Sequence, residues 1–166
     1  MPTEREATAD REIVVSRAIA GPPDVVFAAY TQVRHLSRWW GPNGFSTTTH
    51  SFDFRLGGIW DFTMHGPDGT DYPNWIEYLE ISPPERIVFR HGDSADDPKA
   101  HISTVTIAQR GDSSEVTLRS VFPTKAQRDE VVERYHAIEG AEQTLAALTA
   151  YVESKLKSDD GKEQPR

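Results

Sequence analysis

Between Phe45 and Phe122 the chain passes through six β-type segments in succession, each closed by a turn or a short loop, with no helical stretch between them. Strands joined that tightly must lie antiparallel, because a parallel neighbour needs a crossover of a dozen residues or more. The segments are Phe45–Phe54, Ile59–His65, Asp71–Ile81, Arg86–His91, His101–Gln109 and Glu115–Phe122. Arg55-Leu56-Gly57-Gly58, Gly66-Pro67-Asp68-Gly69, Ser82-Pro83-Pro84-Glu85 and Gly111-Asp112-Ser113 supply the turns, and Gly92–Pro98 is a polar loop.

A seventh strand precedes them at Ile13–Ile19 and stops at Gly21-Pro22-Pro23. Pro22, Pro23 and Asp24 then open a short helix, and a second helical turn runs to Trp39-Trp40 before Gly41-Pro42-Asn43-Gly44 breaks it. After the strands, Thr124 and Gln127 form a capping box. Val131, Tyr135, Ile138, Leu145, Leu148, Val152 and Leu156 follow as one apolar stripe. Lys125–Leu156 reads as a single helix of roughly 48 Å at 1.5 Å per residue, with a bend expected at Gly140. It is the only element long enough to cover a curved seven-stranded sheet, so the fold class is α+β, with a space between sheet and helix closed at one end by the two short helices.

A length of 166 residues suits one domain, expected over residues 12–156, with charged, mobile tails at 1–11 and 157–166. There is no cysteine, which excludes disulfides, thiolate metal sites and thiol nucleophiles and suits a reducing cytoplasm. The net charge of −8 argues against nucleic acid or an anionic membrane as partner. No apolar run reaches membrane-spanning length, and the charged MPTEREATADRE start lacks the apolar core of a secretory signal. GxSxG, GxGxxG, GxxxxGK[ST] and HExxH are all missing, and no two of the six histidines stand four apart on a helix. Neither a metal nor a cofactor is expected.

The residues with chemical potential are those on inward phases. Trp39, Trp40, Phe45, Trp60, Phe62, Trp75 and Phe89 form an aromatic set, joined on its strand face by Met64. Singly, each reads as core; together they read either as core or as a cavity wall able to stack on planar ligands. Trp75 is the least secure, because Pro73 in its strand allows a bulge that reverses its phase. Strand alternation puts His91 in phase with Ile87 and Phe89, and His101 and Ser103 in phase with Val105 and Ile107. On the helix, Tyr135 and Ile138 face inward, and rotation by 100° per residue places Glu142 in the same stripe. A carboxylate there either faces the cavity, where burial would raise its pKa and suit it to acid–base work, or reaches the rim and sits in water. Glu142, His91 and His101 are therefore the candidate catalytic groups, and their convergence would make a two-His-one-carboxylate set.

The order and wording of several segments resemble a known family. They are Trp39–Phe45 (WWGPNGF), Phe52–Trp60 (FDFRLGGIW), Met64–Gly69 (MHGPDG), Ile81–Phe89 (ISPPERIVF) and Glu139–Leu145 (EGAEQTL). Together they resemble the Hsp90 ATPase activator C-terminal-like (AHSA1-like) family of the START/polyketide cyclase (SRPBCC) superfamily. That resemblance implies a helix-grip (START/Bet v 1-like) fold with an internal apolar cavity. Many relatives place Trp directly after the helix glycine where this chain has Ala141, which implies a larger cavity or a shifted cavity floor here. The expected function is binding of a small hydrophobic ligand, aromatic or lipid-like, by a monomer or homodimer in the cytoplasm. The alternatives are a cyclase/aromatase- or hydrolase-like enzyme acting in the same cavity, and a chaperone-associated protein of the Hsp90-activator kind.

Overall fold

The computed structural model describes residues 8–162, with side chains described through residue 157. Seven strands form one antiparallel sheet: β1 (Glu12–Ile19), β2 (Ser46–Phe52), β3 (Ile59–His65), β4 (Asp71–Ser82), β5 (Arg86–Gly92), β6 (His101–Arg110) and β7 (Ser113–Val121). Their order across the sheet is β1-β7-β6-β5-β4-β3-β2. Strands β2 to β7 therefore form a meander in which every neighbour in sequence is a neighbour in space. Strand β1 closes the far side against β7, with Glu12 opposite Val121 and Ile19 opposite Ser114. Two short helices, α1 (Pro23–Ala28) and α2 (Val33–Trp39), follow β1.

The turn before β3 shows why the sequence needs glycine there. Gly57 has φ +77°, and a Cβ on Gly58 would lie 2.0 Å from the Asp53 carbonyl oxygen, so no other residue fits the second position without moving backbone. The Arg55 Nε–H donates to Asp53 Oδ2 across the same turn.

The C-terminal stripe is not one helix. Lys125–Tyr135 forms α3 and Ala137–Lys162 forms α4, and His136 between them adopts the left-handed conformation at φ 54°, ψ 46°. The expected bend at Gly140 is thus four residues early: Gly140 lies within α4, its N–H bonded to the His136 carbonyl at 2.9 Å. A left-handed cap is usually Gly or Asn, so a histidine there gave no signal in the sequence. A left-handed non-glycine residue costs about 1–2 kcal/mol, and glycine costs about half that in unfolded-chain entropy. His136→Gly should accordingly stabilise the protein by about 0.5 kcal/mol, a change that urea unfolding at neutral pH reads directly. The Thr124 hydroxyl caps α3 by accepting from the Gln127 N–H at 3.1 Å. The reciprocal half of the capping box is not made, since Gln127 Oε1 is buried without a partner.

Helix α4 lays Leu145, Leu148 and Val152 into the same apolar cluster as the sheet residues Ile13, Val15, Ile76, Ile87, Val105 and Val116. It is tied to the short helices by a hydrogen bond between Tyr151 OH and His35 Nδ1 (2.6 Å), and to the loop after α2 by the Asn43 N–H donating to Gln143 Oε1 (3.0 Å). At the other end of the sheet, residues expected to belong to a mobile tail are held. Ala9–Arg11 forms a 3-10 turn, Arg11 Nη1 donates to the Phe122 carbonyl at 2.6 Å, and Arg119 bridges Glu12 and Thr8. The helix likewise continues past residue 157 to Lys162. The remaining parts of the expected tails, residues 1–7 and 163–166, lie outside the described residues.

Candidate ligand cavity

Most of the aromatic set is packed solid. Trp60 is 1% exposed and Phe62 0%, with their rings stacked 3.8 Å apart between centroids. Trp39 is buried with its indole N–H donating to the Ala29 carbonyl (3.1 Å), and Trp60 donates to Thr49 Oγ1 (3.0 Å). Trp40 packs edge-on to Trp60 and Phe62, and Phe89 and Tyr78 complete the cluster. A sheet this strongly curved leaves a deep concave face, and these rings supply the bulk that fills it. The expectation that Trp39, Trp40, Trp60, Phe62 and Phe89 line a cavity therefore gives way to core packing. Trp75 is half-buried and alternates with the inward Asn74 and Ile76, which puts it on the convex face. Pro73 pairs with Thr63 in unbroken register, and the one irregularity in β4 lies between Tyr78 and Glu80, beyond Trp75.

The space lies further along, toward α3. A cavity of about 740 Å³ is bounded on one side by Phe45, Met64, Tyr72 and Asn74, on its floor by His91, His101, Ser120 and Phe122, and opposite by Val131, Tyr135, His136, Ala137 and Ala141. Of the fourteen residues expected to line a cavity, Phe45, Met64, His91, His101 and Tyr135 do so. Ser103 lies directly across from Ser120 on the neighbouring strand, hydrogen-bonded to it at 2.8 Å, and is not part of the cavity wall. Ile138 packs against the core cluster rather than on the cavity wall. Tyr135 is 54% exposed and marks the mouth. The rim carries charges of both signs: Asp93, Asp97 and Glu130 beside Lys99 and Arg134.

Glu142 is outside. It is exposed, next to Val14–Arg17 and Leu145 on the β1 side of α4. The inward line of α4 runs through Ala141, Leu145, Leu148 and Val152, and a residue 100° past Ala141 clears it. The sequence stripe that includes Glu142 runs through Tyr135, which belongs to a different helix. The set of two histidines and Glu142 is thus not assembled, and no group of three His, Asp or Glu side chains suited to a metal occurs among the described residues.

What the structure does assemble is a histidine pair. His91 on β5 and His101 on β6 stand directly opposite in register, with ring centroids 5.0 Å apart. His91 Nε2–H donates to Asn74 Oδ1 at 2.6 Å, and the Asn74 amide is itself oriented by donating to the Tyr72 carbonyl at 3.0 Å. That chain fixes the His91 tautomer and leaves Nδ1 as a bare acceptor. The His101 ring lies 4.7 Å from Phe122, and neither of its nitrogens has a hydrogen-bond partner among the described residues. Burial drives the His91 pKa down to about 3, with a smaller push from His101, and brings that of His101 down to about 4 against a small opposing pull from Asp97. Both are neutral at pH 7. Ser120, in phase with Val116 and Leu118, and Ala141, in place of the relatives' Trp, were both legible in the sequence. Asn74 was not singled out, although its inward phase two residues before Ile76 was a signal.

A second polar array sits on the convex face. Thr48 Oγ1 and Asp71 Oδ1 lie 2.7 Å from the two ring nitrogens of His65. It resembles a nucleophile–base–acid relay in connectivity alone: all three side chains are solvent-open and border no cavity described here. It ties β2, β3 and the start of β4 together.

Comparison with known proteins agrees with this architecture. The family described as Activator of Hsp90 ATPase homolog 1-like protein matches residues 20–153. The chain belongs to that family. Among solved structures, a protein from Nitrosomonas europaea is 20% identical with a TM-score of 0.80, covering 90% of this chain and 98% of its own. One from Chromobacterium violaceum is 26% identical with a TM-score of 0.75, covering 86% and 97%. The AHSA1 protein from Silicibacter pomeroyi is 23% identical with a TM-score of 0.71, covering 87% and 99%. No curated protein matches. This member of the Activator of Hsp90 ATPase homolog 1-like family thus has the helix-grip fold, and none of its described helices is long and apolar enough to cross a membrane.

Proposed function

We propose that this chain binds a small hydrophobic molecule, aromatic or lipid-like, in the cavity between its sheet and the α3–α4 joint, as a cytoplasmic binding protein. The observation that carries the reading is the cavity itself: about 740 Å³, with an apolar wall that includes Ile13, Phe45, Met64, Phe122, Val131 and Ala141, a floor of His91, His101 and Ser120, and charged groups confined to its rim. A site of that size and lining holds a drug-sized ligand. Catalysis in the same cavity is the weaker reading. The one oriented base, His91, has a pKa near 3, and a base that weak abstracts protons poorly at neutral pH.

Native mass spectrometry of the protein purified from its own source, followed by organic extraction, tests the proposal. A stoichiometric apolar ligand is expected. Ala141 lies on the cavity wall, so Ala141→Trp should fill the space and release the ligand while thermal unfolding stays cooperative. An empty native protein that also fails to bind naphthalene-sized probes in solution would overturn the reading.

A further inference from the structure

We infer that the histidine pair selects, among apolar molecules, those carrying one neutral hydroxyl, such as a phenol or enol, with that hydroxyl held between His91 and His101. This deepens the proposed function and rests on it.

The inference follows from counting donors and acceptors on the cavity floor. His91 has used its one N–H on Asn74, so it offers the cavity only a lone pair. His101, in its neutral form, offers one N–H and one lone pair, with no protein partner for either among the described residues. A hydroxyl matches this set, because it donates through its hydrogen and accepts through its oxygen. A plain hydrocarbon leaves the floor unsatisfied once water is displaced, and that costs affinity. A carboxylate has no proton to give and would have to shed its water beside two uncharged rings. The rim does not compensate, since Lys99 and Arg134 are offset there by Asp93, Asp97 and Glu130. The Ser120 hydroxyl is held by Ser103 at 2.8 Å, and in the orientation that donates to Ser103 it offers the floor a lone pair rather than a second donor.

The experiment is isothermal titration with three probes of one shape: naphthalene, 1-naphthol and 1-naphthoate. On the native protein 1-naphthol should bind at least ten-fold more tightly than either of the others. In His101→Phe the naphthol advantage should fall to two-fold or less while naphthalene binds as before. His101→Gln, which restores a donor and an acceptor, should recover most of it. Circular dichroism and thermal unfolding confirm that each variant is folded, and if His101→Phe is not, His101→Leu replaces it. Equal affinity for naphthol and naphthalene, or tighter binding of naphthoate, overturns the hydroxyl inference and leaves the cavity reading standing. No binding of any probe, by protein that carries no native ligand, overturns both.

Discussion

Trp60→Ala should destabilise the fold by about 4 kcal/mol, the upper part of the range for truncating a fully buried aromatic. Trp60 is 1% exposed, stacks on Phe62, meets Trp40 and Phe52 edge-on, and donates its indole N–H to Thr49. Removing the ring opens a hole in a solid cluster and leaves the Thr49 hydroxyl without its donor. Trp75 is the internal control. It lies on the convex face of β4, half-buried, and Trp75→Ala should cost no more than about 1 kcal/mol. Urea unfolding of both variants measures the contrast. Similar losses would mean that the assignment of the two tryptophans to opposite faces of the sheet is mistaken.

Acid should destabilise the protein well above the pH at which its carboxylates protonate. His91 and His101 have folded-state pKa values of about 3 and 4, both below the ordinary histidine value of 6.5. The unfolded chain therefore binds more protons than the native one throughout the interval between those values, and stability rises with pH there. Their contribution is complete above pH 6.5 and is lost as the pH falls toward 4 and then 3. Each histidine loses about 1.4 kcal/mol per pH unit inside its window, so the pair should lose about 3 kcal/mol between pH 7 and pH 5 after allowing for water in the cavity. His35, buried and held below its usual pKa first by that burial and then by Arg34 and Lys155, adds to the loss with the same sign. Denaturation midpoints at pH 7 and pH 5 give the difference, and His101→Phe should reduce it by nearly half. An unchanged difference in that variant would show that His101 keeps its ordinary pKa in the folded protein.

Much of the fold was legible because it is written in short-range patterns. Alternation along Ile59–His65 and Arg86–His91, with Gly-Pro-Asp-Gly and Gly-Asp-Ser turns between strands, specifies pairing and register from neighbours within ten residues or so. The same alternation on β5 and β6 put His91 and His101 each on an inward phase, and the register that sets them opposite one another came from the structure. Trp60 and Phe62 were likewise read as inward, and they are. Their alternation does not say whether an inward ring meets another ring or an open space.

That distinction, and with it the cavity, was decided by tertiary structure. Phe45, Met64, Asn74, His101, Phe122 and Ala141 come from six different parts of the chain, and no periodicity relates them. The break at His136 was hidden because a histidine carries no mark of the left-handed conformation it adopts there. With the break unseen, the phase of α3 was carried into α4, and Glu142 was drawn into a stripe that its own helix does not contain. The sequence by itself determined the strands, their antiparallel order and the inward faces of β3, β5 and β6, all set by local sterics and the period of two, and its motifs carried the resemblance to the family. Only the tertiary structure decided where the concave face is filled with rings and where it stays open above a pair of neutral histidines, because that depends on the path of a two-part helix over the sheet.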